Sequence, residues 1–158
     1  MDHEPRAIIG IDPGGTTGFA VLRIVGDALI DTPLPFLVHA PADASVETLQ
    51  RLLRLAERSG QTRICVAIER FLVGQRAARN RGSTTPQKLV GQLTRAVPMD
   101  VTVREYSAGT VKPWATDQRL RAAGCYIKGK GHARDAARIA LYHACRDHGV
   151  TDPLAATL

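Results

Sequence analysis

The chain has 158 residues and a mass of 17.0 kDa, with 44% hydrophobic and 23% charged residues and no polar low-complexity tract. That is one domain with a core of its own and excludes a disordered chain. A formal net charge of +6 and a pI near 9.7 favour an anionic partner, while apolar runs well short of the ~18–20 residues of a membrane span exclude a membrane partner.

The first 45 residues are acidic: six acids (Asp2, Glu4, Asp12, Asp27, Asp31, Asp43) face only Arg6 and Arg23. Residues 7–11, Ala-Ile-Ile-Gly-Ile, form a continuous apolar run of the type buried on both faces of a sheet, and the run ends on Asp12. Pro13, Gly14 and Gly15 turn the chain, and residues 19–25 return as the second strand of a hairpin. Residues 29–38 supply a third strand, confined to an edge by Pro33 and Pro35. Val46, Leu49, Leu52, Leu53 and Ala56 recur at helical spacing, which predicts a helix over residues 45–58 with Ser45 as its cap and Gly60 past its end.

Residues 64–68, Ile-Cys-Val-Ala-Ile, form another fully apolar strand, and it too ends on a carboxylate, Glu69. From Arg70 to Met99 there is no acid, and six cations (Arg70, Arg76, Arg79, Arg81, Lys88, Arg95) make this stretch read better as a polyanion-facing surface than as a merely soluble basic face. Leu89, Val90, Leu93 and Val97 mark a helix opened by Pro86, with its apolar stripe facing either the sheet or a partner. A short strand at 101–103, a helix at 116–123 closed by Gly124 and a last helix from His132 to His148 stopped by Gly149 complete the order. The tail beyond Thr151 is expected to be loose. Strands interspersed with helices behind a leading hairpin give an α/β domain around a mixed sheet. Cys65, Cys125 and Cys145 are widely spaced, which suggests neither a disulfide framework nor a structural zinc site and fits a reducing cytoplasm.

Asp12, Glu69 and Asp135 are the acids this order can bring together, with His132 one helical turn from Asp135. Carboxylates with one imidazole suit Mg²⁺ or Mn²⁺ better than zinc. Two such ions serve phosphodiester hydrolysis, in which Asp12 would bridge both, Glu69 would hold the leaving-side ion, and His132 with Asp135 the nucleophile-side ion. Each position also has a plainer reading: Asp12 as a turn residue, Glu69 as a partner of Arg70, Asp135 as a complement to the helix dipole.

The run Gly10-Ile11-Asp12-Pro13-Gly14-Gly15-Thr16-Thr17-Gly18-Phe19, together with Val66-Ala67-Ile68-Glu69, Tyr106-Ser107-Ala108-Gly109-Thr110-Val111-Lys112 and His132-Ala133-Arg134-Asp135-Ala136-Ala137, resembles the RuvC family of Holliday-junction resolvases. The resemblance spans Ile8 to His143 and implies a ribonuclease-H-like fold with a five-stranded mixed sheet flanked by helices. It implies catalytic roles for Asp12, Glu69, His132, Asp135 and Lys112, and a homodimer that nicks two strands of a four-way junction symmetrically, with no small-molecule cofactor. Phe71 stands near the place of the family's junction-facing aromatic, and Lys128 or Lys130 near that of a second functional lysine. With Arg70, Arg76, Arg79 and Arg81 these are the candidate DNA contacts. Seventeen arginines against four lysines fit a phage-borne member acting in the cytoplasm of a bacterial host. Two rivals differ in class: a sugar-kinase-like phosphotransferase, which would need two lobes to enclose ATP, and a non-catalytic DNA-binding module.

Overall fold

The computed structural model describes residue 4 and residues 6–30, 36–70 and 84–155. Strands β1 (Arg6–Asp12) and β2 (Thr16–Val25) form the leading hairpin, and the short β3 (Ala28–Leu29) and β4 (Phe36–Pro41) follow. Helix α1 (Ser45–Arg58), β5 (Arg63–Glu69), α2 (Thr84–Ala96), β6 (Thr102–Tyr106), α3 (Ala108–Trp114), α4 (Asp117–Ala122) and α5 (Gly131–Asp147) complete the chain. The sheet runs β3-β2-β1-β5-β6, with β4 also on β2. β2 pairs antiparallel with β1, β3 and β4, whereas β1, β5 and β6 are mutually parallel.

Among the described residues the sheet therefore has six strands rather than the expected five. Of the expected strand at 29–38, Leu29 belongs to β3, which pairs with Ile24 and Val25, and residues 36–38 to β4, which pairs with residues 16–21 of the same strand, while residues 31–35 lie outside the described residues. Ten residues of β2 span about 34 Å, room for two short partners in one edge position. Ser45 is the first residue of α1 rather than its cap; its hydroxyl lies 2.8 Å from Thr17 Oγ1 and 3.0 Å from the Pro41 carbonyl, tying the helix to the start of β2 and the end of β4. Helix α3 has no counterpart among the sequence expectations because Gly109 and Pro113 are poor helix formers, yet Ser107 Oγ caps it by accepting the Thr110 N–H at 3.2 Å. Where a loose tail was expected, the Thr151 N–H donates to the Asp27 carbonyl at 3.0 Å and Asp152 takes Arg119 at 3.0 Å; residues 156–158 lie outside the described residues.

Strand alternation divides the core. Ile9, Ile11, Val66 and Ile68 pack with Leu49, Leu52, Leu53, Leu89 and Leu93, under α1 and α2. Ile8, Cys65 and Ala67 face the other way, against Ala136, Ala140, Leu141 and Ala144 of α5. Because successive side chains of a strand point to opposite faces, Asp12 shares the face of Ile8 and Gly10, and Glu69 that of Cys65 and Ala67. Both acids thus belong to the α5 side. Leu89 and Leu93 of α2, 3% and 0% exposed, are consumed by the chain's own core. None of the described helices is long and apolar enough to cross a membrane.

Near the C-terminal end of α5, His143 is 1% exposed, and burial pushes its imidazole down to about 4 from an ordinary 6.5. A histidine held below its unfolded value contributes stability that is present above about pH 6.5 and lost as pH falls through about 4. Unfolding free energy should accordingly drop by up to about 3 kcal/mol across that window. His143→Gln should flatten this part of the curve, measured by urea denaturation from pH 4 to 7.5; an unaltered slope would show that His143 is not the titrating group.

Candidate active site

β1 and β5 are neighbours in parallel register, with Ile11 beside Ile68, so Asp12 and Glu69 end adjacent strands on the face that α5 covers. Adjacent strands lie about 4.8 Å apart, close enough for two carboxylates to act on one substrate group. α5 lies unusually close to the hairpin. A methyl group at Gly18 would stand 2.0 Å from the His132 carbonyl oxygen, and one at Gly10 2.1 Å from that of Ala136. Only glycine at these two positions lets the helix backbone settle on the strands. Opposite Gly18 on β4, His39 Nε2 accepts the Ala133 N–H at 3.0 Å, which fixes the first turn of α5.

This seat brings His132 Nδ1 to 2.8 Å from Asp12 Oδ2 across 120 residues of sequence. Asp12 is 8% exposed, and its carboxyl is raised above the ordinary range mainly by burial, with Asp135 adding to the rise and His132 and Lys112 opposing it. Glu69 is raised by burial first, then by Asp12 and Asp135. Asp135 is flanked by two cations: Lys112 Nζ stands 3.0 Å from Oδ2 and Arg138 donates to Oδ1 at 2.5 Å. The bond from Lys112 to Asp135 raises the Lys112 ammonium, with the Asp135, Glu69 and Asp12 charges adding to the rise. Five predicted residues (Asp12, Glu69, Lys112, His132, Asp135) therefore share one electrostatic neighbourhood.

Sequence reading missed the group that steers Asp135. Arg138 is nearly buried; besides Asp135 it grips Asp117 at the start of α4 and donates to the Ala115 carbonyl at 2.9 Å. The available signal was the i, i+3 spacing of Asp135 and Arg138. We expect Arg138→Ala to cost about 2 kcal/mol, below the range for a fully buried pair because Asp117 is 39% exposed. Arg138→Lys should recover only part, since one ammonium cannot bridge two carboxylates and a carbonyl with the same fork. Chemical denaturation checks both, and a wild-type midpoint for Arg138→Ala would remove the clamp from the account.

Three carboxylates are hard donors and the one imidazole is borderline, a set that fits Mg²⁺ or Mn²⁺, and desolvated like charges are stabilised by a cation. Among the described residues, no three of these four bring ligand atoms within 4.8 Å of one another. Displacing the half-exposed Lys112 frees one oxygen of Asp135 while Arg138 retains the other.

The remaining predicted residues are peripheral. Lys128 and Lys130 are exposed on the link into α5, and Lys130 is its N-terminal flanking residue. Arg70 is exposed just past Glu69, its N–H donating to the Tyr106 carbonyl at 2.7 Å. Phe71, Arg76, Arg79 and Arg81 lie outside the described residues.

A solved structure of Thermus thermophilus RuvC in complex with Holliday junction substrate is similar to the chain with a TM-score of 0.61 and 24% identity, over 93% of this chain and 96% of that one. The fold is RuvC-like. A second T. thermophilus RuvC structure gives a TM-score of 0.54 and 22% identity over 90% and 96%. No protein-family model matches the sequence, and no curated protein matches it. In this RuvC-like frame the mixed sheet delivers Asp12 and Glu69 beneath the first two turns of α5.

Proposed function

We propose that the chain is a divalent-metal-dependent DNA endonuclease that resolves four-way junctions. One observation carries the reading: two buried parallel strands end on Asp12 and Glu69, on the face where α5 sets His132 against Asp12, in a frame similar to a resolvase solved with its junction. Asp12, Glu69, His132 and Asp135 would hold Mg²⁺, or Mn²⁺ in its place, as two ions. When bound, the ions supply charge neutralisation and water activation for phosphodiester hydrolysis.

The chain's own groups do the rest. Asp12 accepts from His132 Nδ1–H, which leaves Nε2 as the free donor atom. Lys112, held cationic by Asp135, is a mobile positive charge for the scissile phosphate. Arg70, Lys128 and Lys130 are exposed cations available to the DNA backbone, and on the sequence alone Phe71, Arg76, Arg79 and Arg81 are proposed as further DNA contacts. A homodimer would present two such sites to opposite strands of a symmetric junction.

The ion pairs already on Asp135 favour a second reading, a branched-DNA-binding module whose acids are structural. Synthetic four-way, three-way, flap and linear duplex DNA incubated with Mg²⁺, Mn²⁺ or chelator separate the two. Paired symmetric nicks in the four-way junction, dependent on metal, are expected. Tight binding without cleavage under any metal would leave the binding module standing. Light scattering with a cruciform plasmid tests the dimer: a monomer yielding only nicked circles would end it.

A further inference from the structure

α5 carries a second cluster at its other end, ~16 Å along the helix from His132. Cys65 faces the same side of β5 as Glu69 but lies four residues earlier, and it meets His143 from the penultimate turn of α5 and His148 just past its end. One ligand atom from each of the three lies within 4.8 Å of the other two. Cys65 and His143 are 9% and 1% exposed, while the partly exposed His148 leaves one side open to solvent.

The hydrogen bonds prepare these atoms for more than packing. His143 Nδ1 lies 2.5 Å from the Tyr106 hydroxyl oxygen and 3.0 Å from Asp147 Oδ2; because that hydroxyl donates its proton to Asp147, Nδ1–H donates to the Tyr106 oxygen and Nε2 carries the lone pair. An acceptor behind an imidazole, here a tyrosine oxygen backed by the Asp147 carboxylate, fixes the tautomer of a metal-bound histidine. Tyr106 locks that carboxylate by donating to Asp147 Oδ2 at 2.7 Å. The Nε2 atoms of His143 and His148 face each other at 3.0 Å, close to the separation of two donors on one ion.

We propose that Cys65, His143 and His148 form a binding site for a borderline-soft divalent ion, Zn²⁺ foremost, with a fourth position left to water. One sulfur and two imidazoles select zinc-class ions over Mg²⁺, the reverse of the carboxylate set at Asp12. Binding forms one S–metal and two N–metal bonds. The thiol proton leaves to solvent and the His148 Nε2 proton shifts to its Nδ1, so one proton is released. Arg6, Arg63 and Arg104 are close by, and the thiolate with Asp147 offsets the charge the ion adds among them. The ion would staple the start of β5 to the end of α5, remote from the candidate active site.

The test uses the full chain without a histidine tag, stripped with chelator, on an Asp12→Asn background so that the carboxylate site does not compete. Titration with Co²⁺ as a spectroscopic substitute should give a thiolate-to-metal charge-transfer band, erased by stoichiometric Zn²⁺. Cys65→Ser should lose the band, His148→Ala should weaken binding at least about tenfold, and Cys145→Ser should change neither. Zn²⁺ in hundredfold excess over its Kd should raise the melting temperature by roughly 5 °C, and not in Cys65→Ser. Absence of the band in the parent, its survival in Cys65→Ser, or its loss in Cys145→Ser would each overturn the site. Circular dichroism confirms that the variants remain folded, and because His148 and Cys65 are tested separately, misfolding of one leaves the other to decide.

Discussion

Asp12→Asn is expected to abolish junction cleavage while raising the melting temperature of the metal-free protein. The two effects share one cause. Burial opposes ionisation of Asp12, and Asp135 adds repulsion, so the carboxyl sits above its unfolded value. A carboxyl raised on folding contributes stability that is complete below the unfolded value of 3.8 and is lost as pH climbs through the folded one. At neutral pH the folded chain therefore carries an uncompensated cost that asparagine does not, and Asn Oδ1 can still accept from His132. We expect a gain of about 1 kcal/mol, of the size found when a function-constrained residue is relieved. Cleavage should fall by at least about 10³, because a ligand's share of transition-state charge stabilisation is several kcal/mol. Junction affinity should hold or tighten, one negative charge having gone from beside phosphate. Glu69→Gln should follow the same pattern. A variant that still cuts, or one that melts well below the parent, would remove Asp12 from the site.

Gly18→Ala should be nearly as damaging without touching any acid. Its new methyl would start 2.0 Å from the His132 carbonyl and 2.5 Å from the Ala133 nitrogen, where ordinary contact needs about 3.4 Å. Because backbone is the obstacle, α5 must lift by more than about 1 Å rather than rotate a side chain away. That lift strains the Ala133–His39 hydrogen bond and the Asp12–His132 pair together. Overpacking of this kind costs about 1–3 kcal/mol, and a misplacement near 1 Å about a hundredfold in rate. Gly15→Ala is the matched control, since a methyl there meets nothing within 4 Å. Equal cleavage and melting for the two alanine variants would show that the close seat of α5 does not set the geometry.

Much of the frame was legible because its signals are local. The apolar runs before Asp12 and Glu69 could be satisfied only by strands buried on both sides, and the alanine stripe of α5 only by a helix laid flat on a sheet. Gly60, Gly124 and Gly149, all at positive φ, stop helices where the sequence placed the stops. Local rules failed at α3, which is capped by Ser107 but disguised by Gly109 and Pro113. They failed again at the split edge of the sheet, where the length of β2 rather than the content of its partners decides the pairing.

By itself the sequence determined which residue types end which elements: the acids of two strands, the His132–Asp135 spacing, and an acid-free basic stretch. Tertiary structure alone decided which groups touch. Cys65, His143 and His148 share no period or spacing that a local rule could read, and Arg138 joins Asp135 to Asp117 from a different helix. The reason is separation: contact between Asp12 and His132, 120 residues apart, depends on how closely a helix approaches a sheet. Gly10 and Gly18 set that distance through the side chains they lack, a property that becomes visible only when the opposing backbone is in place.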